Sequence, residues 1–414
     1  MATTNTSGAT RTGFGMVLIA FLSFNVAIAA LFGSFSVLLA SAGERMHVGL
    51  AVGSLGVPLS MIAVALLAPI AGILSGRMSL RLLMMSGSLM GAVGFAILAF
   101  TSNIVVFLLV YALLIGPAFC LCAVVLPPTL VTRWITGARG RALGLVNFPI
   151  GTALMPTAAL FVLHSYGLSA VYLALSGLMI LNLLAQAFVV DNPPRAAAET
   201  AGEGAAADAE PEDSGPTTGE ILRHRSLWVL TIANASLIAA TIMLTAHIVP
   251  LAISMGNDTA RGATLYTLMS VGGFVGPLLC GWMADKIGGR KTMIILCVDS
   301  AVLWAVLLTS PPFPVLAGVI MLFGLHSSGS IAAYAISLSE VFGKAGFARA
   351  FGLGNLVNLP FTVAAVPLAG IIFDRTHSFS GAVLFHTVFF AVAALLAIFF
   401  GTKAVHKVSG VSAH

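Results

Sequence analysis

Long apolar runs alternate with short polar or glycine-rich breaks along most of the chain. Runs long enough to cross a hydrocarbon core of about 30 Å fall near residues 14–41, 49–75, 82–101, 104–132, 142–165 and 169–190. A second set falls near 226–254, 262–284, 292–310, 314–340, 350–373 and 380–402. In lipid every backbone N–H and C=O must be satisfied within its own segment or in a closed barrel, so uninterrupted apolar runs of this length predict helices. Several exceed the roughly 20 residues that a span needs, so tilt or protruding ends are expected. Between the two sets, residues 191–225 hold eight of the 14 acidic residues and no long apolar run. Such a segment cannot bury enough surface to offset the entropy of ordering it.

The pattern predicts an all-α membrane protein with 12 transmembrane helices in two parallel six-helix pseudo-repeats. The expected parts are a disordered N-terminus over 1–13 and bundles over 14–190 and 226–402. A cytoplasmic linker is expected over 191–225 and a tail over 403–414. Two internal matches support duplication. Gly281-Trp-Met-Ala-Asp285-Lys286-Ile-Gly288-Gly289-Arg290 has an altered copy 209 residues earlier, in Gly72-Ile-Leu-Ser-Gly76-Arg77-Met-Ser79-Leu-Arg81. Arg77 falls on Lys286 and Arg81 on Arg290, while Gly76 replaces Asp285 and Ser79 replaces Gly288. Arg141-Ala-Leu-Gly144-Leu-Val-Asn147 recurs as Arg349-Ala-Phe-Gly352-Leu-Gly-Asn355.

Composition agrees: 59% of residues are hydrophobic, 8% are charged and the mean hydropathy is +1.05. A soluble domain carries about 25% charged residues. Only Arg45, Arg261 and Arg375 of the 19 Lys and Arg fall on loops of one side, which predicts both termini in the cytoplasm. The basic surplus is therefore explained by topology, and no nucleic-acid partner is expected. The first apolar run is too long for a signal-peptide core and reads as a span. The four cysteines sit in apolar helices, where residues two apart face different ways, so Cys120 and Cys122 read as packing residues and not as a metal pair.

The turn around Asp285 resembles the loop signature of major facilitator superfamily transporters, Gly-x-x-x-Asp-(Arg/Lys)-x-Gly followed by basic residues, here present in both halves. The resemblance implies the major facilitator fold, with a central site between two halves that rock in alternating access. Three further stretches resemble the monocarboxylate-porter and oxalate/formate-antiporter branch. They are Thr132-Arg133-Trp134 with Arg139 to Gly144, His247-Ile-Val-Pro250 with Met255-Gly256, and Val341-Phe342-Gly343 with Arg349 to Gly352 and Pro367 to Arg375. Members of that branch often carry a carboxylate-binding arginine four residues before the glycine that opens the loop signature. Here that position is Pro277, and no Lys or Arg lies deep in any span.

The resemblance implies that the first, fourth, seventh and tenth helices line the pathway. Candidate substrate contacts are His247, His326, Asn25, Asn147, Asn234, Tyr334 and Asn355, with Asn358 a further amide on the eleventh helix. Histidine titrates near neutrality and can hold a carboxylate; amides in apolar helices must face protein or a cavity. Either type also serves as helix-to-helix glue. Candidate gating residues are Arg77, Arg81, Asp285, Lys286, Arg290, Glu340 and Arg349, of which Asp285, Arg290, Glu340 and Arg349 are expected to meet at the cytoplasmic surface. Asp299, about seven residues into the ninth helix, reads as a structural carboxyl or a proton site.

The expected function is secondary transport of a small organic anion, a monocarboxylate, with proton coupling, by a monomer in the plasma (inner) membrane. The alternative is a facilitator exporting drug-like or neutral solutes. No cofactor and no metal are expected. No nucleotide-binding P-loop occurs, and neither a His/Glu metal motif nor an aspartyl pair supports an intramembrane enzyme. A sensor would need an output domain beyond the linker.

Overall fold

The structure is a computed structural model and describes residues 6–135, 143, 145–192 and 216–400. The expected segments around Arg139 and Arg141, most of the 191–225 linker and the tail with Lys403 and Lys407 lie outside the described residues. Among the described residues every regular element is a helix.

The spans follow in order. They are α1 (Gly13–Met46), α2 (Leu50–Arg77), α3 (Leu80–Phe100) and α4 (Ile104–Trp134), then one apolar stretch, Ile150–Gln186. Gly167, at φ +80°, breaks that stretch into α5 before it and α6 after it. In the second half come α7 (Arg225–Ser254), α8 (Thr259–Ile287), α9 (Gly289–Leu307), α10 (Phe313–Gly343), α11 (Arg349–Thr376) and α12 (Ser380–Phe399). The 12 spans that the apolar runs predict are thus present. α9 carries Arg290, Lys291 and Asp299 and is the least apolar of them in charge content. Gly343, at φ +69°, separates α10 from α11 as Gly167 separates α5 from α6. Left-handed backbone of this kind is strained for a residue with a Cβ, which is why glycine stands at both breaks.

One element differs from its expected bounds. A fifth helix over 142–165 would contain Asn147, but the regular helix begins at Ile150 and Asn147 sits in the preceding turn, exposed. Pro149 is the cause: it has no N–H to donate and it forces Phe148 out of helical backbone.

Three π-turns interrupt the α pattern of the first half, at Ala29–Gly33 in α1 and at Tyr111–Ile115 and Cys120–Val125 in α4. Each adds a residue to a turn and re-aims the side chains that follow.

Backbone packing divides the chain into two compact units. The first is Met1–Asp208 with Ile242–Val271 and Val363–Phe379; the second is Ala209–Thr241, Gly272–Thr362 and Ser380–His414. In the first unit, α3 packs along α6, and α1 packs on α5 and α4. Small residues allow the close approaches: a Cβ on Gly33 would stand 2.8 Å from the Met155 side chain, and one on Gly116 2.9 Å from the Ser60 backbone. In the second unit α9 packs along α12. There α8 lies against α10 at glycines: a Cβ on Gly272 would collide with the Met321 carbonyl and one on Gly276 with the Leu325 carbonyl. Phe100, Leu278 and Phe399 are among the most exposed side chains, while Ser23, Ser88, Asn182 and Gln186 are buried. Apolar groups outward and polar groups inward suit a lipid solvent.

Candidate substrate site

Two polar clusters lie inside the helix packing, one in each unit. In the first unit, Gln186 on α6 donates from Nε2 to Ser23 Oγ on α1 (2.9 Å) and accepts at Oε1 from Ser88 Oγ on α3 (2.8 Å). Ser23 donates to the Cys122 carbonyl on α4 (2.7 Å), and Asn182 Nδ2 donates to Ser88 (2.9 Å). The network is neutral and links α1, α3, α4 and α6. Sequence reasoning missed it, because lone serines in apolar helices carry no pattern. Hydrogen bonds of this kind between membrane helices contribute about 0.6 kcal/mol each on average.

Asn25 belongs to the same kind of chemistry. Its Nδ2 donates to the carbonyls of Phe21 (3.0 Å) and Phe148 (3.1 Å), and its Oδ1 accepts from Gly151 N (2.8 Å). Both donors and one of the two acceptor positions of the amide are engaged, two of these bonds tying α1 to the start of α5 and its preceding turn.

The second cluster lies where α7, α10 and α11 meet in the second unit. Thr231 Oγ1 and Tyr334 Oη are 2.9 Å apart, both buried. Gly354 on α11 lies directly on this pair; a Cβ there would collide with Tyr334 Oη and stand 3.2 Å from Thr231 Oγ1. Odd-numbered helices of an alternating bundle run in one direction. One turn beyond the Thr231–Gly354 contact are therefore Asn234 on α7 and Asn358 on α11. Both are buried, at 1% and 4% exposure. Among the described residues, neither Oδ1 nor Nδ2 of Asn358 has a hydrogen-bond partner, nor has Oδ1 of Asn234. A buried polar atom left unsatisfied costs about 1–3 kcal/mol, so these atoms call for a functional or structural account. Asn355, the amide expected to reach the pathway, is exposed instead.

The histidines separate. His247 is fully buried in the first unit, its Nε2 lies 3.1 Å from the Val366 carbonyl and its ring rests against Phe379. His326 is half-buried in the second unit, with Nδ1 3.4 Å from Ser300 Oγ and the Asp299 carboxylate acting on it electrostatically. Among the described residues Asp299 is the one carboxylate away from a span end, and it is exposed on α9.

Among the described residues, Glu340, Arg290 and Arg349 of the expected gating set engage backbone groups. Glu340 accepts with both carboxylate oxygens from Gly289 N (3.1 and 3.2 Å). Arg290 donates through Nε and Nη2 to the Ala397 carbonyl (3.0 and 2.8 Å) and through Nη2 to that of Ile398 (3.0 Å). Arg349 donates to the Pro216 carbonyl (2.7 Å), and Asp285 and Lys286 are exposed. The free N–H groups at the start of α9 and the free carbonyls at the end of α12 draw these charges. In the first half, Arg81 N donates to Asp191 Oδ1 (3.1 Å), and Arg77 is exposed. Arg133, outside the expected set, donates to the Ser75 carbonyl (2.6 Å).

The chain is helical and polytopic, with neutral polar clusters inside its helix packing. Residues 12–298 and 248–413 match the family model of the Major Facilitator Superfamily, and the chain belongs to that superfamily. It is a transporter and not an enzyme. It is similar to the MFS-type transporter YcxA of Bacillus subtilis (strain 168), 23% identical over 92% of this chain and 93% of that protein. It is also similar to the oxalate:formate antiporter of Oxalobacter formigenes, at 29% over 53% of this chain and 52% of the antiporter. Monocarboxylate transporter 13 of Bos taurus is 25% identical over 89% of this chain and 84% of that protein. A solved bacterial homolog of the human lysosomal transporter Spinster shares the fold, with a TM-score of 0.67 and 13% identity over 94% of this chain and 96% of that one.

Proposed function

We propose that this transporter carries a small organic acid, a monocarboxylate, together with a proton, by alternating access. The relatives named for oxalate, formate and monocarboxylates support the solute class. The observation that carries the site is the unpartnered amide of Asn358 and the unpartnered Oδ1 of Asn234, both buried, beside Thr231 and Tyr334. These groups donate and accept hydrogen bonds but bring no charge. Among the described residues, Lys and Arg stay near the span ends. A bare carboxylate near the bilayer centre costs about 2.5–3.5 kcal/mol on insertion scales. An acid that travels with its proton avoids that cost. His326, with Ser300 and Asp299 beside it, is the proposed proton carrier, and His247 the proposed structural one. The chain is proposed to act as a monomer in the inner membrane with both termini cytoplasmic, from the bias of Lys and Arg. Asp285 and Lys286, both exposed, are proposed to close the cytoplasmic side in the opposite state of the cycle.

The test is uptake into proteoliposomes of labelled formate, oxalate, lactate and pyruvate. Accumulation of one of them driven by an inward proton gradient is the expected result. Asn358→Ala should weaken its affinity about tenfold, the worth of one or two hydrogen bonds. His326→Gln should abolish gradient-driven accumulation while leaving exchange of labelled for unlabelled solute. Failure of every acid to move, with or without the gradient, overturns the reading. A second reading, export of neutral or drug-like solutes, is favoured by Pro277 standing where the branch often has arginine. Dye efflux from the same vesicles would establish it.

A further inference from the structure

The two π-turns of α4, Tyr111–Ile115 and Cys120–Val125, are each followed closely by proline. Pro117 has no N–H to give the Leu113 carbonyl four residues back, and Pro127 and Pro128 have none for those of Ala123 and Val124. A widened turn absorbs the misfit. At the first, Gly116 N bonds the Tyr111 carbonyl, five residues back. A carbonyl oxygen has a second lone pair, and hydroxyls from two other helices take it up. Ser60 Oγ on α2 donates to the Tyr111 carbonyl (3.1 Å) and shares its proton with the Gly56 carbonyl (3.0 Å). Ser23 Oγ on α1 donates to the Cys122 carbonyl (2.7 Å). Both serines are fully buried.

Packing fixes the reach of Ser60. A Cβ on Gly116 would stand 2.8 Å from Ala63 Cβ and 2.9 Å from Ser60 Cα, so α2 lies directly on α4 between the two turns. The π-turn of α1 is built differently. There Ser34 N bonds the Ala29 carbonyl, which releases that of Ala30, and Ser34 recovers it with its own hydroxyl (2.7 Å). α1 holds its turn from within, whereas α4 has both turns held from outside. The residue that a π-turn adds rotates the helix beyond it by about 100° relative to an unbroken α-helix. The places of the two turns therefore set where the side chains between and beyond them point. Phe119, between them, meets Phe32 in the π-turn of α1 edge-on at 5.4 Å. Arg133, beyond them, donates to the Ser75 carbonyl.

We propose that Ser60 and Ser23 are positioning residues: their hydroxyls hold the two π-turns of α4 in place and so decide which side chains this helix turns towards α1 and which towards lipid. The bearing on transport rests on α4 lining the pathway, but the test needs no solute. Single spin labels at Leu109→Cys, Leu113→Cys and Val124→Cys, all exposed positions, report oxygen accessibility in lipid nanodiscs. The native cysteines are buried, which directs labelling to the introduced one. All three labels should be accessible in otherwise native protein. With Ser60→Ala and Ser23→Ala together, the label at Val124 should lose accessibility while that at Leu109, ahead of both turns, keeps it. Ser60→Thr with Ser23→Thr, which retains both hydroxyls, should keep the native pattern. A second readout is local. Cys122-Ala123 is the one Cys-Ala pair in the sequence, so carbonyl-labelled cysteine with nitrogen-labelled alanine resolves that peptide alone by solid-state magnetic resonance. Its carbonyl resonance should shift in Ser23→Ala and return in Ser23→Thr. Unchanged accessibility at Val124 in the double alanine variant overturns the proposal, whatever the unfolding temperature, and leaves the serines as helix-to-helix glue. So does an unmoved Cys122 carbonyl, or the same loss at Val124 in the threonine variant, which would mark packing and not the hydroxyl. If the double variant does not insert, the loss at Val124 must appear in Ser23→Ala alone. A rotated pattern in protein that moves no acid keeps the positioning role and removes only the solute assignment.

Discussion

The two copies of the duplicated turn solve one problem with different chemistry. Each precedes a helix, α3 or α9, whose first amides lack intrahelical partners. In the first copy Ser79 keeps ordinary extended backbone at φ −62°, Leu80 is fully buried, and a carboxylate from beyond α6, Asp191, accepts from Arg81 N. In the second copy Gly288 turns through φ +89°, Gly289 nests against Ser337, and the carboxylate arrives from the end of α10, as Glu340 onto Gly289 N. The end of α12 provides carbonyls, which Arg290 takes, where the segment after α6 provides the acid Asp191. The two sequences have therefore diverged where their partners differ. A serine in place of Gly288 and a leucine in place of Gly289 are not damage to a motif; they fit a turn of another shape.

The comparison can be broken by substitution, read as unfolding temperature and amide exchange in detergent. The largest effects should come from exchanging the packing residue. Leu80→Ala should cost about 2–4 kcal/mol as a buried large-to-small change. Gly289→Ala should cost about 2–3 kcal/mol in the opposite sense, because its Cβ would stand 2.5 Å from Ser337 N. If Gly289→Ala were neutral, the nesting of α9 on α10 would not be what holds the turn. The carboxylates come next. Glu340→Gln and Asp191→Asn should each lose about 1 kcal/mol, with faster exchange confined to the start of α9 in one and of α3 in the other. Exchange that quickens at both helices in either variant would mean that the copies are not independent. The smallest contrast is at the turn residue itself. Gly288→Ser should cost about 1 kcal/mol for left-handed backbone, whereas Ser79→Gly should cost a few tenths through entropy alone.

The spans are readable in the sequence because lipid leaves the backbone little choice, and breaks such as Gly167 and Gly343 need residues that announce themselves. The candidate site is only half readable. Asn355 and Asn358 differ by about 60° around α11, and glycine and leucine surround both, so hydropathy does not say which amide turns inward. The structure buries Asn358. Asn147 looks helical by repeat, but Pro149 moves the helix start past it. The capping carboxylates Asp191, Glu340 and Asp374 act on amides 51 to 324 residues away in sequence, and local pattern carries nothing of such a pairing.

The confinement of Lys and Arg to span ends also has an electrical consequence. A charge displaced through the whole membrane field exchanges about 2.3 kcal/mol per 100 mV, and voltage-driven proteins place cationic side chains in their helices for that purpose. Among the described residues, Asp299 and the histidines apart, the polar groups away from the span ends are amides, hydroxyls and thiols, which carry no net charge. Reorienting the bundles does little work against the membrane potential. Any voltage dependence of flux should then come mainly from the cargo and its co-ion: a monocarboxylate that travels with one proton moves no net charge, and the charge moved per solute counts the protons beyond that one.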